Sequence, residues 1–303
     1  MLSDGIQSAL APASPEAQAH AELAWILFGG GAVILAAVMA LALYAVLARR
    51  SRAARLSSRA LIIGGGIVFP AIVLAALLAW SLGRMNAFPA IEDPSALQIE
   101  VTGEQWWWRV RYLDAEGRSD FETANEIRVP AGRPVLLHLK SADVIHSFWV
   151  PALAGKLDMI PGRTHRLRLV ASSPGEYRGQ CAEYCGGPHG FMAFFVVAEE
   201  PAAWERWAAR QRQPAAGAHP LFEKLCAACH TVRGTRAEGS LGPDLTHVGG
   251  RRTIGAGLLP MSRGSLAGWI ASSQHLKPGN MMPSFRSLPG EELNAVAAYL
   301  ESL

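Results

Sequence analysis

Two uncharged apolar runs near the N-terminus, from about Leu23 to Ala48 and from Leu61 to Leu82, constrain this chain more than any other feature. Each is long enough to cross a bilayer as a helix, for which about 20 apolar residues suffice. Half of the 303 residues are hydrophobic and only 17% are charged. Because the apolar excess is concentrated in these runs, the composition reads as membrane spans rather than as one large core; a buried soluble helical hairpin is the alternative. Between the runs lies Arg49-Arg50-Ser51-Arg52-Ala53-Ala54-Arg55-Leu56-Ser57-Ser58-Arg59, basic and without an acid. The positive-inside rule predicts a cytoplasmic turn here, with the N-terminus and everything after Gly83 on the outer side. Gly64-Gly65-Gly66 and Pro70 are expected to loosen or bend the second span, which membrane helices tolerate when a neighbour satisfies the freed backbone. Residues 1–21 form a polar, Ala/Pro-rich outer segment without a basic n-region. A net charge of +3 gives no reason to expect nucleic acid as a partner.

After the hairpin, taken as residues 22–83, residues 84–96 read as a linker that leads into the next unit. Short alternating runs follow: Leu97/Ile99/Val101, Trp106/Trp108/Val110/Tyr112, Val135/Leu137/Leu139 and Leu167/Leu169. Turns at Gly132, Pro134, Pro161, Gly162, Pro174 and Gly175 separate them, which predicts a small antiparallel β-sandwich over 84–200. Residues 201–216 hold a short amphipathic run with Trp204 and Trp207, then Pro214-Ala215-Ala216-Gly217, and read as a linker. A last unit spans 217–303.

The four cysteines fall as two pairs, and each pair has its own chemistry. Cys181-Ala182-Glu183-Tyr184-Cys185-Gly186-Gly187-Pro188-His189-Gly190-Phe191-Met192 gathers two thiols, an imidazole and a thioether in one loop. That is a soft set, and softness selects copper over oxygen-loving cations. Two cysteines with three residues between them on a turning loop can each bridge a pair of metal ions, which calls for a second imidazole; His146, in Asp143-Val144-Ile145-His146-Ser147-Phe148-Trp149, is the evident supplier. Taken alone, Cys181 and Cys185 are also compatible with a disulfide, and Met192 with packing among Phe191, Phe194 and Phe195. The second pair, Cys226-Ala227-Ala228-Cys229-His230, has the C-x-x-C-H spacing of covalent haem c attachment, with the histidine on the iron; a thioredoxin-like dithiol is the alternative.

The copper-type loop and the His146 segment resemble subunit II of the haem-copper cytochrome c oxidases, with its binuclear copper centre (CuA) pattern C-x-E-x-C-x-x-x-H-x-x-M. The resemblance implies a multidomain chain: a two-helix transmembrane hairpin, a β-sandwich (cupredoxin) CuA domain, then an all-α cytochrome c domain. It implies copper ligation by His146, Cys181, Cys185, His189 and Met192 through side chains and by Glu183 through its carbonyl, with the Glu183 carboxylate facing Mg at the subunit I contact. Lys156-Leu157-Asp158-Met159-Ile160-Pro161-Gly162-Arg163 matches a family segment at that contact. Gly103-Glu104-Gln105-Trp106-Trp107-Trp108 resembles G-H-Q-W-Y-W, which puts Trp106 where electrons enter; packing of Trp106 and Trp108 on one strand face is the plainer reading. Relatives often carry a glutamate at the inner start of the second span that serves a proton channel, whereas this chain has Leu61-Ile62-Ile63.

Residues 217–303 resemble a small class I cytochrome c fused to the C-terminus, as in caa-type oxidases, with Leu241-Gly242-Pro243-Asp244-Leu245 after the haem motif and a closing helix from Pro289 to Leu300. Of Met261, Met281 and Met282, the family pattern selects Met282 as distal iron ligand, because it directly precedes a proline; a thioether there raises the potential, as suits an electron carrier. The implied function is electron transfer from haem c, held by Cys226, Cys229, His230 and Met282, to CuA and on to haem a in subunit I, the site of oxygen reduction and proton translocation. The implied partners are subunit I with haem a and CuB, subunit III, the lipid bilayer, and a soluble or membrane-bound cytochrome c or bc-type complex as donor. The implied location is the bacterial inner (cytoplasmic) membrane. A copper-delivery or thiol-redox factor for oxidase assembly is the reading from another class, and the copper domain of nitrous oxide reductase shares the ligand motif.

Overall fold

The computed structural model describes residues 6–47, 58–85 and 93–303. The arginine turn at 48–57 and most of the 84–96 linker lie outside the described residues. The chain divides into two compact units, Met1–Ala19 with Ile91–Leu303, and His20–Ala90.

Helix α1 is Pro15–Leu47, so it starts ahead of the apolar run. The cause is a local start signal: the Ser14 hydroxyl accepts from the Ala17 N–H at 2.8 Å, Pro15 occupies the first turn, and Glu16 meets the helix dipole. Residues 6–16 are tied down, with Arg178 N–H donating to the Ile6 carbonyl, Ser14 donating to the Leu153 carbonyl, and Glu16 paired with Arg168 at 2.6 Å. Helix α2, residues 58–85, is α-helical at Ser58–Ala60 and Phe69–Met85, with a π-helical stretch at Leu61–Val68 around the three glycines. Pro15–Leu47 and Leu61–Arg84 are both long and apolar enough to cross a membrane, and their apolar windows are unburied.

The next unit is a sandwich of two five-stranded sheets. One runs β3 (Ser119–Ala124), β2 (Trp107–Leu113), β1 (Leu97–Glu104), β5 (Val135–Ser141), β8 (His165–Leu169). The other runs β4 (Glu126–Pro130), β10 (Ala193–Glu199), β9 (Gly175–Cys181), β6 (His146–Trp149), β7 (Leu157–Met159). Pairing is antiparallel except for β1 with β5 and β4 with β10. Alternation points Ile99 and Val101 inward along β1, and Trp108, Phe148 and Phe194 meet with ring centres 4.6 to 6.1 Å apart. Gly179 faces Phe194 so closely that a Cβ there would sit 2.2 Å from the ring, so only glycine fits.

Residues 201–216, expected as a linker, open with helix α3, Pro201–Gln211. Trp204 and Trp207 share its apolar face and are buried in the sandwich core, with Trp207 edge-on to Tyr112 and Phe121. The final region is helical: α4 (Pro220–Leu225), α5 (Arg263–Leu276) and α6 (Gly290–Ser302), with a small β11/β12 hairpin (Thr253–Ile254, Leu259–Pro260). Its separate core is built on Phe222, Val248, Leu266, Ile270, Val296 and Leu300.

Candidate metal centre and haem site

Strands β6 and β9 pair with Phe148 opposite Cys181, which brings His146 at the start of one strand beside the cysteine at the end of the other. From Cys181 the chain turns through Glu183 and Cys185, then a short 3-10 turn (Gly187–Phe191) returns it to β10 at Ala193. All the sequence-predicted copper positions, His146 on β6 and the rest in this loop, converge on the two cysteine sulfurs. The two sulfurs lie 3.8 Å apart, far beyond the ~2.05 Å of a disulfide, and both cysteines are free. His146 Nδ1 is 3.8 Å from Cys181 Sγ, His189 Nδ1 is 3.4 Å from Cys185 Sγ, Met192 Sδ is 3.8 Å from Cys185 Sγ, and the Glu183 carbonyl is 3.2 Å from Cys181 Sγ. His146, Cys181 and Cys185 are all buried, with ligand atoms within 4.8 Å of one another. Soft donors gathered on both sides of a sulfur pair fit a thiolate-bridged copper pair.

A metal ligand must shed its proton, and electrostatics prepare Cys181 for this while Cys185 and His146 hold theirs. Hydrogen bonding from Cys185 outweighs burial and, with His146, holds the Cys181 thiol down at about 4. The Cys185 thiol is pushed up by the same bond and by burial. Burial opposes charge on His146, yet Asp143 and Cys181 hold it up at about 9. Asp143 Oδ1 pairs with His146 Nε2 at 2.8 Å, which orients the ring and leaves Nδ1 facing the sulfurs. The sequence marks Asp143 only by its place three residues before the histidine. Gly103, to which the sequence gives no clue, packs against the same ring: a Cβ there would lie 2.7 Å from it.

The Glu183 carboxylate is half exposed and lies 3.7 Å from Lys156, which also bonds Asp158 at 3.1 Å. The Trp106 N–H donates to the Cys185 carbonyl at 2.9 Å, and its ring lies 2.9 Å from where a Cβ on Gly186 would be. On its far side the ring is 3.6 Å from the corresponding position on Gly279, in the Met282 loop. Trp108 is buried in the core instead.

Cys226 and Cys229 lie half-buried at the end of α4. Burial pushes the Cys226 thiol up to about 11, with the charge of Cys229 adding to it. His230 Nδ1 donates to the Pro243 carbonyl at 2.8 Å, and burial lowers the ring's affinity for a second proton, so Nε2 is a free acceptor suited to a metal. Gly242 explains its place in Leu241-Gly242-Pro243: a Cβ would lie 2.6 Å from the His230 ring. Met281 is 91% exposed, whereas Met282 packs on the core of this unit, its carbonyl accepting from Ser273 and Gln274. Met261 borders the same core beside β12. The buried Arg251 guanidinium has an Nε without a partner among the described residues, an open donor for a carboxylate-bearing group such as haem.

Two membrane-length helices, a β-sandwich with a loop of soft donors and a helical unit with a Cys-x-x-Cys-His site are the layout of a membrane-anchored electron-transfer protein with a copper-type and a haem-c-type site. Residues 97–199 match the family described as cytochrome C oxidase subunit II, periplasmic domain, and residues 215–303 match cytochrome c. The chain is 37% identical over 251 residues to cytochrome c oxidase subunit 2 of Alkalihalophilus pseudofirmus, covering 78% of this chain and 71% of that one. It is 30% identical over 230 residues to the same subunit of Bacillus sp. strain PS3, covering 70% and 63%. A crystal structure of the periplasmic domain of subunit II of cytochrome oxidase from Bradyrhizobium japonicum is 31% identical, with 41% of this chain and 97% of that one covered and a TM-score of 0.38. The chain belongs to the cytochrome c oxidase subunit 2 family, in the form that carries a C-terminal cytochrome c domain.

Proposed function

We propose that this chain passes electrons from its own haem c to a binuclear copper centre and on to haem a in oxidase subunit I, where oxygen is reduced to water with coupled proton translocation. The observation that carries this reading is Trp106, whose ring adjoins Gly279 of the Met282 loop while its N–H bonds the Cys185 carbonyl. One side chain thereby touches both ligand loops.

Cys226 and Cys229 would attach the haem, and His230 and Met282 would ligate its iron; the packing of the partly buried Met282 on the core, against the exposure of Met281, supports that choice. His146, Cys181, Glu183 (carbonyl), Cys185, His189 and Met192 hold the coppers. Copper held there by two thiolates and two imidazoles would supply one-electron redox chemistry with little rearrangement of its ligands. Asp143 fixes the His146 ring, and His189, beside the exposed Tyr184, lies on the side from which electrons leave. The Glu183 carboxylate is the candidate Mg ligand at the subunit I contact, where it would take a cation in place of its pairing with Lys156 at 3.7 Å.

In this reading residues 1–21 are an outer segment, 22–83 the membrane hairpin, 84–200 the CuA domain, 201–216 the connection built around α3, and 217–303 the cytochrome. The hairpin anchors the chain in the bacterial inner membrane beside subunits I and III. A cytochrome c or bc-type complex reduces the haem.

Purified full-length chain tests the assignment. A mixed-valence copper-pair spectrum together with a covalent haem is expected, and Cys185→Ser should abolish the first while leaving the second. A copper-pair signal that survives Cys185→Ser overturns it.

A further inference from the structure

Lys277 caps the C-terminal end of α5, on the loop that leads to Met282, and its side chain leaves its own domain. It is 2% exposed. The ammonium donates to the Trp106 carbonyl at 2.5 Å, to the Phe191 carbonyl at 2.7 Å and to the Gly255 carbonyl at 3.1 Å. A lysine has three N–H donors, and each of these finds an acceptor.

The three acceptors lie on different segments. Trp106 follows β1 and bridges the two ligand loops, Phe191 directly precedes the copper position Met192, and Gly255 is in the β11/β12 hairpin of the haem unit. That hairpin meets the copper loop a second time, through the Ala193 N–H to the Ala256 carbonyl at 3.1 Å and through Gly257, where a Cβ would lie 2.9 Å from that of Ala193. Burying an ammonium is costly unless hydrogen bonds replace its water. Burial pushes this one down to about 7, with the charge of Cys185 pulling the other way.

Resting on the electron-transfer reading above, we propose that Lys277 is a positioning residue for transfer from haem to copper: its ammonium ties Trp106 and the Phe191–Met192 turn to the Met282 loop, which keeps the fused cytochrome docked where Trp106 spans the two sites. It touches neither metal. It acts by holding the three backbone segments in register.

The test uses the full chain in the assembled oxidase, with Lys277→Met, which keeps the length of the side chain and removes its donors. Two readouts are taken: hydrogen exchange at the Ala193 amide, and the rate of haem-to-copper transfer after flash reduction of the haem. Loss of three charge-assisted bonds predicts about ten-fold or greater loss of exchange protection. Transfer should slow by a comparable factor and become dependent on viscosity, with unchanged haem and copper spectra. Wild-type protection and rate in Lys277→Met overturn the proposal. If that variant does not assemble, Lys277→Gln decides, with the same changes expected at smaller size and wild-type behaviour overturning it. Exchange is read without electron transfer. A wild-type oxidase whose haem and copper do not exchange electrons therefore contradicts the functional reading, while the exchange result still decides the docking role of Lys277.

Discussion

Gly103→Ala is a small change with a calculable consequence at the copper site. Gly103 lies on β1 between Trp108 of β2 and Ser141 of β5, so its backbone is held from both sides. An added Cβ would sit 2.7 Å from His146 Cδ2 and 2.9 Å from Cγ, short of a ~3.5 Å carbon contact by about 0.8 Å. The ring has no free direction, being fully buried, bonded to Asp143 at 2.8 Å and adjoining Trp108. Metal–ligand distances tolerate only about 0.2 Å, so in the proposed copper site a ring displaced by several tenths of an ångström would lose its place as a ligand. Overpacking of this kind costs about 1–3 kcal/mol. Copper titration of the purified variant should show a weakened or altered copper-pair spectrum with an intact haem spectrum, and thermal unfolding should shift downward. A variant with wild-type copper spectrum and melting temperature would refute the claim that Gly103 exists to seat His146.

Met282→Ala should lower the haem potential and remove the signature of a thioether on ferric iron, while Met281→Ala leaves both unchanged; redox titration with absorption spectroscopy separates them, and the reverse result reassigns the ligand. For pH, burial raises the Glu100 carboxyl, but bonds from Lys140 at 2.5 Å and Arg111 at 3.2 Å more than reverse this, so its folded value lies below the ordinary one. The unfolded chain then binds more protons than the folded one through the acid range, so this contribution is present near neutrality and is lost as pH falls through the folded value. Glu100→Gln should accordingly melt lower at neutral pH and lose less on acidification from about pH 5 to 3; an unchanged acid profile would contradict the ion-pair account.

The chemistry was legible because it is local. Cys181 to Met192 and Cys226 to His230 are contiguous strings whose spacing suggests their use, the apolar spans follow from length and lack of charge, and the strands follow from alternation. What escaped was of two kinds. Some was written in local signals read too coarsely: Ser14-Pro15-Glu16 starts α1 ahead of its apolar run, and Trp204, Trp207 and Ala208 share one face of a helix that packs on the sandwich, so the stretch read as a linker is a docked element. The rest depends on contacts between residues far apart in the chain. Gly103 matters only because His146 lands opposite it, and Lys277 only because its loop meets Trp106 and Phe191. No window along the chain contains those pairs. Trp106 itself could be singled out by its segment, but its position between the Cys185 carbonyl and Gly279 belongs to the folded chain.

The most direct test is flash reduction of the haem in the assembled oxidase, followed by the copper absorbance, in wild type and in Trp106→Leu. The account predicts that in wild type the copper is reduced at a rate independent of protein concentration, and that Trp106→Leu slows this step while leaving the haem and copper spectra as they were. Transfer that depends on collisions between molecules, or that proceeds at the wild-type rate without Trp106, would contradict it.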